Sequence, residues 1–254
     1  MSSLDMSKSR AVKAYLGEAR YECVRMMRSP TFALLALLMP LAMYLFLGVY
    51  LDGILSKAPP ARVAATFGHW CVFSVMWPGM FGFGASVALE RSQGLIALKC
   101  AMPVPLSAYL LGKSFMSVLF ALAASILISL GCAILATSNL SLGQFVAAIV
   151  VSTMGGLLFA AIGLFVGSLV RAQHATGVMY LVYIPLMLLA GLFFPVPHAV
   201  KLFSPAFYLD RVVAGAIGQA SEGPVAAYLF AGIALTAALI MASVRTLAQR
   251  SISE

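Results

Sequence analysis

Few residues in this sequence are of types that do chemistry, and fewer are spaced to do it together. Ser74 with His69 or His198 is the nucleophile–base pairing on offer, and it would suit acyl hydrolysis at membrane depth. No acid at a matching depth completes it, so a membrane-embedded, lipid-acting enzyme stands only as an alternative. Cys23, Cys71, Cys100 and Cys132 form no CxxC and have no histidine-rich companion, which leaves zinc and a disulfide framework unsupported. Cys71 and Cys132 fall toward the outer ends of their segments, where two small apolar packing residues are a simpler reading than a disulfide. Gly112-Lys113-Ser114 looks like the end of a phosphate-binding loop. The full motif needs a glycine where Ser107 stands, and a strand before it. The chain binds no ATP by that motif.

What remains is a short polar interruption between apolar segments, residues 90–105. It runs from Glu90, Arg91, Ser92, Gln93 and Gly94 through Leu95, Ile96, Ala97 and Leu98 to Lys99, and closes on Pro103-Val104-Pro105. Leu95 and Leu98 stand at helical spacing and share one edge. The pattern predicts a short helix at a membrane surface with an apolar edge to press on something. A membrane protein that keeps such an element outside the bilayer needs a soluble partner to push it.

The elements that must position this stretch follow from composition. The chain is 62% hydrophobic and 9% charged, against roughly 25% charged in a soluble domain. A spanning helix needs about 20 mostly apolar residues. Six segments qualify, at about 31–51, 69–89, 106–136, 145–169, 175–194 and 225–244, and together they make a single transmembrane domain over 1–254. Lys113 is expected to mark the membrane surface, and Trp70 to sit in an interfacial aromatic belt. Small residues on the fourth segment, including Gly163 and Gly167 as a GxxxG, suit close helix packing. The net charge of +8 flanks the spans and forms no patch sized for nucleic acid.

Ahead of the first span, residues 8–28 carry Val12, Tyr15, Leu16, Ala19, Cys23 and Met26 at helical intervals. Lys13, Glu18, Arg20, Glu22, Arg25 and Arg28 fall largely off that stripe. This predicts an amphipathic helix lying in the interface plane with a basic polar face. Residues 191–222, with Phe194, Pro195, Pro197 and Pro205, are too apolar for a free loop and too proline-broken for a span. They predict one or two short helices dipping into the outer leaflet, where irregular backbone is tolerated if buried in protein. With both termini inside, the inner segments hold all of the 16 Lys and Arg except Lys57, Arg62, Lys201 and Arg211. The positive-inside rule therefore puts both termini and residues 90–105 in the cytoplasm. No Asp, Glu, Lys or Arg falls near the middle of a proposed span, which argues against a proton relay or ion pathway.

In these pieces the chain resembles the membrane subunits of type 2 ABC transporters, the permeases of many bacterial drug, lipid and polysaccharide exporters. The likeness rests on Glu90-Arg91-Ser92-Gln93-Gly94-Leu95-Ile96-Ala97-Leu98 with Pro103-Val104-Pro105 and Leu111-Gly112-Lys113. It rests also on Gly191-Leu192-Phe193-Phe194-Pro195-Val196-Pro197 with Ser204-Pro205. Ser92-Gln93 departs from the second acid that many members carry before the glycine. The resemblance implies an all-α integral membrane fold of six spans, with a re-entrant outer segment before the last helix. It implies that residues 90–102 are a coupling helix in which Glu90, Arg91, Gly94, Leu95 and Leu98 meet a separate ATP-binding subunit. It makes residues 8–28 a connecting helix and pairs the chain with a second copy or paralogue in the bacterial inner membrane. ATP and magnesium would bind the partner subunit, and this chain would hold no cofactor. A cavity walled by spans one, two and five would expose Met39, Met76, Trp77, Met80, Phe81, Tyr183 and Met187 to a hydrophobic or amphipathic cargo. A non-transporting membrane assembly protein is the further alternative, and the intact 90–105 stretch argues against it.

Overall fold

The computed structural model describes residues 8–28, 30–51, 59–101, 106–135, 139–219 and 223–250. Every regular element among them is helical, and six helices are long and apolar enough to cross a membrane. In chain order they are α1 (Lys8–Met27), α2 (Pro30–Met43), α3 (Pro60–Trp77), α4 (Ser86–Ser92), α5 (Leu95–Ala101), α6 (Leu106–Leu135), α7 (Leu142–Leu169), α8 (Ala172–Leu189), α9 (His198–Lys201), α10 (Pro205–Ala216) and α11 (Val225–Arg250). Two stretches are wound more widely, as π-helix. Tyr44–Leu51 continues α2, and Pro78–Ala85 joins α3 to α4.

Element boundaries follow local chemistry. The second span is one continuous helix from Pro60 to Ser92, not the shorter 69–89 that hydropathy outlines. Pro60 opens this helix instead of breaking the chain, because its missing N–H falls where no intrahelical partner exists. Farther along, Pro78 would orphan a carbonyl, and the wider π turn that starts there absorbs the mismatch. α7 starts at Leu142 through a capping box. Gln144 N–H donates to Ser141 Oγ at 3.3 Å, and Ser141 N–H donates back to Gln144 Oε1 at 2.8 Å. α8 stops at Leu189, short of the expected 194, because the chain turns through Gly191 at φ +72°.

The helix that runs from Pro60 to Ser92 is the centre of the molecule, with 83% of its span buried, whereas α11 lies at the periphery, packed on α7 and α10 along one side and exposed on the other. The π stretch lies backbone-to-backbone on α7. A Cβ on Gly163 would sit 2.6 Å from Met80 O, so the GxxxG serves a contact within this chain. Trp70 is 3% exposed and meets Phe73 and Phe193 edge-on, so it is a core residue and not the interfacial anchor its type suggested. Cys71 and Cys132 are buried, unbridged thiols. α9 and α10 fold back between α8 and α11. Leu209 of α10 presses on Gly155, halfway along α7, which makes the segment re-entrant.

Candidate functional site

At the end of the bundle where α3 runs out into α4, the backbone turns sharply. Gly94 adopts φ +70°, and its carbonyl accepts from Leu98 N–H at 3.0 Å, starting α5. Only glycine adopts this left-handed conformation without strain. The result is an elbow between two helices of seven residues each.

Four fixings hold the elbow. Glu90 is 5% exposed and sits at the centre of an ion cluster. Its carboxylate accepts from Lys113 Nζ of α6 at 2.8 Å, from Tyr109 Oη at 2.6 Å, and from Arg25 of α1. Glu22, 1% exposed, closes the cluster by pairing with Arg25 at 2.9 Å and with Lys113 at 3.4 Å. Arg91 points elsewhere and donates to Ser168 O and, at 2.7 Å, to Val170 O. It thereby caps the orphan carbonyls at the C-terminus of α7 with a positive charge. Lys99 ties α5 to α1 through Glu18 at 2.6 Å and lies 4.6 Å from the Tyr109 ring centroid. Ile96, 5% exposed, packs beneath α5 in a small apolar cluster with Phe83, Val87 and Tyr109.

Among the described side chains, what the elbow shows to the outside is therefore Ser92, Gln93, Gly94, Leu95 and Leu98. Leu95 is 37% exposed and Leu98 59%. Of the residues expected to meet a partner, Gly94, Leu95 and Leu98 are presented outward, while Glu90 and Arg91 work from behind. Residues 102–105, including Pro103 and Pro105, lie outside the described residues.

Two readings of single residues change here. Lys113 does not reach out to solvent from the end of α6. It is 3% exposed, and it stays inside because two carboxylates meet its charge. Nor does α1 turn all its polar residues to solvent. Glu22 lies inside, with Glu18 and Arg25 partly covered, while Arg20 and Arg28 stay exposed. In exchange Leu16, Tyr21 and Val24 face outward. Gly112 permits this crossing, since its missing side chain leaves α1 backbone at Glu18 within 3.2 Å of where a Cβ would stand. The Gly112-Lys113 pair thus has a packing and charge role that spacing alone did not suggest. Arg25 is held above its ordinary pKa. Burial works against its charge, and the two facing carboxylates, Glu90 and Glu22, outweigh that.

Residues 18–218 match the ABC-2 type transporter family. The chain belongs to this family. No match was found among curated proteins. Membership makes it a membrane permease subunit of an ABC transporter and implies an ATP-binding partner subunit in that transporter.

The cavity-wall candidates of this ABC-2 permease separate by burial. Met76 and Met80 are fully enclosed and serve the core. Trp77, Phe81 and Tyr183 form an aromatic group, with centroids 5.2 Å apart for Trp77–Phe81 and 5.7 Å for Phe81–Tyr183. Met187 is half-buried, and Met39 is exposed on α2. In the re-entrant segment Phe194, Pro195 and Pro197 are exposed and Pro205 is buried at the start of α10. The permease also brings one acid to a histidine that hydropathy could not pair. Asp210 of α10, 2% exposed, lies 3.5 Å from His69 Nε2 and is held by Arg211. The expected nucleophile does not join them, because Ser74 Oγ donates to Cys71 O in its own helix at 2.8 Å.

Proposed function

We propose that this permease is the membrane half of an ATP-driven exporter and that the α4–α5 elbow is where its ATP-binding partner pushes. The observation that carries this reading is the division of labour at the elbow. An apolar edge, Leu95 and Leu98, faces outward, and the same few residues are bound by charge to α1, α6 and α7. A push on that edge cannot be absorbed by a slack loop. It passes to α6 through Glu90–Lys113, to α1 through Lys99–Glu18, and to α7 through Arg91. α4 is continuous with the π stretch and α3, so the displacement reaches the middle of the bundle as well.

In this reading both termini and the elbow are cytoplasmic, as the distribution of Lys and Arg favours. A second copy or a paralogue completes the translocation path, and the partner subunits hold ATP and magnesium. Met39 of α2 and Met187 of α8, which the core leaves exposed or half-buried, suit a hydrophobic or amphipathic cargo moved outward, since Met surfaces adapt to varied apolar shapes. The test is co-purification from native membranes in mild detergent, with Leu95→Cys and Leu98→Cys as cross-linking sites. The expected product is a complex of permease and ATP-binding subunits, cross-linked at either cysteine. A permease that purifies alone in several detergents, with no cross-link at either position, sinks the proposal.

A further inference from the structure

Where α1 crosses α6, beside the second π stretch, the bundle keeps a cavity of about 10 Å³. Glu22 of α1, Lys113, Met116 and Ser117 of α6, and Pro78 and Gly82 of the π stretch are among the residues that line it. Two of these side chains carry a buried polar atom with no hydrogen-bond partner, Glu22 Oε1 and Ser117 Oγ. Glu22 is 1% exposed and Ser117 6%, so neither can turn to solvent for one. Other serines of α6 satisfy themselves locally. Ser114 Oγ donates to Leu110 O at 2.9 Å and Ser129 Oγ to Ser125 O at 2.8 Å, whereas Ser117 makes no such bond. Lys113 Nζ lies 3.4 Å from Glu22 Oε1 and lends it charge, but its three N–H groups point elsewhere. They go to Glu90 at 2.8 Å, to Ser86 Oγ at 3.1 Å and to Glu22 Oε2 at 3.4 Å. A native fold rarely leaves two buried polar atoms side by side without a partner.

From this geometry we propose that the cavity is a binding site for one water molecule, which bridges Ser117 of α6 to Glu22 of α1. Size, hydrogen-bonding role and charge each select this occupant. One water needs roughly 10–15 Å³ of such space and two to four polar partners. The carboxylate oxygen can only accept, and the serine hydroxyl has a proton to give. Water accepts from Ser117 O–H and donates to Glu22 Oε1, so one molecule serves both. A bare cation cannot take the hydroxyl proton, and a bare anion has none to offer the carboxylate. The surrounding charges also balance already, Glu22 and Glu90 against Lys113 and Arg25, and a neutral guest leaves that balance intact. The bridge adds a neutral tie between α1 and α6 beside the Glu22–Lys113 pair. It depends neither on the direction of transport nor on what docks at the elbow.

Radiolytic footprinting tests this on the full-length permease, with whatever subunits accompany it, in detergent micelles. A brief X-ray pulse makes hydroxyl radicals from water where the water stands. They oxidise a methionine beside it, and mass spectrometry counts the sulfoxide. Met116 lines the cavity and is 5% exposed. Met76 and Met179 are fully enclosed, and Met154 is half exposed at mid-span on α7, against detergent tails. A water in the cavity makes Met116 oxidise faster than all three. Ser117→Val puts methyl groups in place of the hydroxyl and into the space beside it. That variant should bring Met116 down to the rate of Met76, with oligomeric mass unchanged. Should it fail to fold, the wild-type comparison decides alone, because neither burial nor exposure to detergent makes Met116 outpace both kinds of control. A wild-type Met116 no faster than Met76 overturns the proposal. So does a folded Ser117→Val permease in which Met116 is oxidised as fast as in the wild type.

Discussion

The ion cluster behind the elbow permits a test in which stability and coupling move apart. Glu90→Ala removes the carboxylate that faces Lys113, Tyr109 and Arg25, and leaves a lysine whose side chain is 2% exposed. Stranding a buried charge costs about 3–5 kcal/mol. Here Glu22 remains 3.4 Å from Lys113, and Arg25 keeps its own contact with Glu22 at 2.9 Å. The loss should therefore fall near the low end, about 3 kcal/mol, or roughly 6–12 °C in melting temperature for a chain of this size. Neutralising both partners, as Glu90→Gln with Lys113→Met, strands no charge at this pair. That double variant should return to within about 1 kcal/mol of the wild type. Trp70 and Trp77, both buried, report unfolding by intrinsic fluorescence in detergent micelles. ATP-driven transport in proteoliposomes reports coupling. It should fall in the double variant despite the recovered stability, because the ion pair from α4 to α6 is gone and only the Tyr109 hydrogen bond still joins them. If the double variant loses the sum of the two single losses, the residues act independently and the cluster argument fails. If it is stable and transports normally, Glu90–Lys113 does not carry the push.

Other expectations follow from the same geometry. Leu98→Asp, at an exposed position, should change stability by no more than about 0.5 kcal/mol while reducing partner-stimulated ATP hydrolysis to near its basal rate. Normal stimulation would show that the apolar edge is not the contact. Gly94→Ala should cost about 1–2 kcal/mol through backbone strain alone, since φ is +70° and nothing lies within 4 Å of its missing side chain. Gly94→Pro, whose ring holds φ negative, should abolish coupled transport while leaving membrane insertion intact, measured by membrane fractionation beside the transport assay. Gly163→Leu should prevent stable folding, because even a Cβ there stands 2.6 Å from Met80 O, and size-exclusion chromatography would register aggregation. The Cys23 thiol is raised above its ordinary pKa, by burial first and by the adjacent Glu22 second. With Cys71, Cys100 and Cys132 replaced by Ala, its maleimide labelling should therefore lag behind a free thiol at pH 8. The rate should climb as pH rises through a midpoint above that of a free thiol labelled alongside it. A midpoint at or below that value contradicts the burial of the α1–α6 crossing.

Hydropathy alone determined that this chain is a helical membrane protein of six spans, because an uninterrupted apolar run in lipid must satisfy its backbone as helix. Spacing was enough to mark the elbow as a patterned surface element, with Leu95 and Leu98 on one edge. Local chemistry that fixes helix ends was also written in the chain. The Ser141-x-x-Gln144 capping box could have moved the start of α7 to Leu142, and Pro60-before-apolar-run could have lengthened α3. Only the tertiary structure decided which way the charges turn. Glu90, Lys113, Glu22 and Arg25 come from three helices far apart in sequence, and no periodicity on one helix shows that a lysine of α6 will find two carboxylates and stay buried. The same holds for Asp210 and His69, joined because α10 folds back against α3, and for Trp70, drawn into the core by Phe73 and Phe193. A side chain's depth in a membrane protein depends on what neutralises or packs against it, and that partner is supplied by the fold.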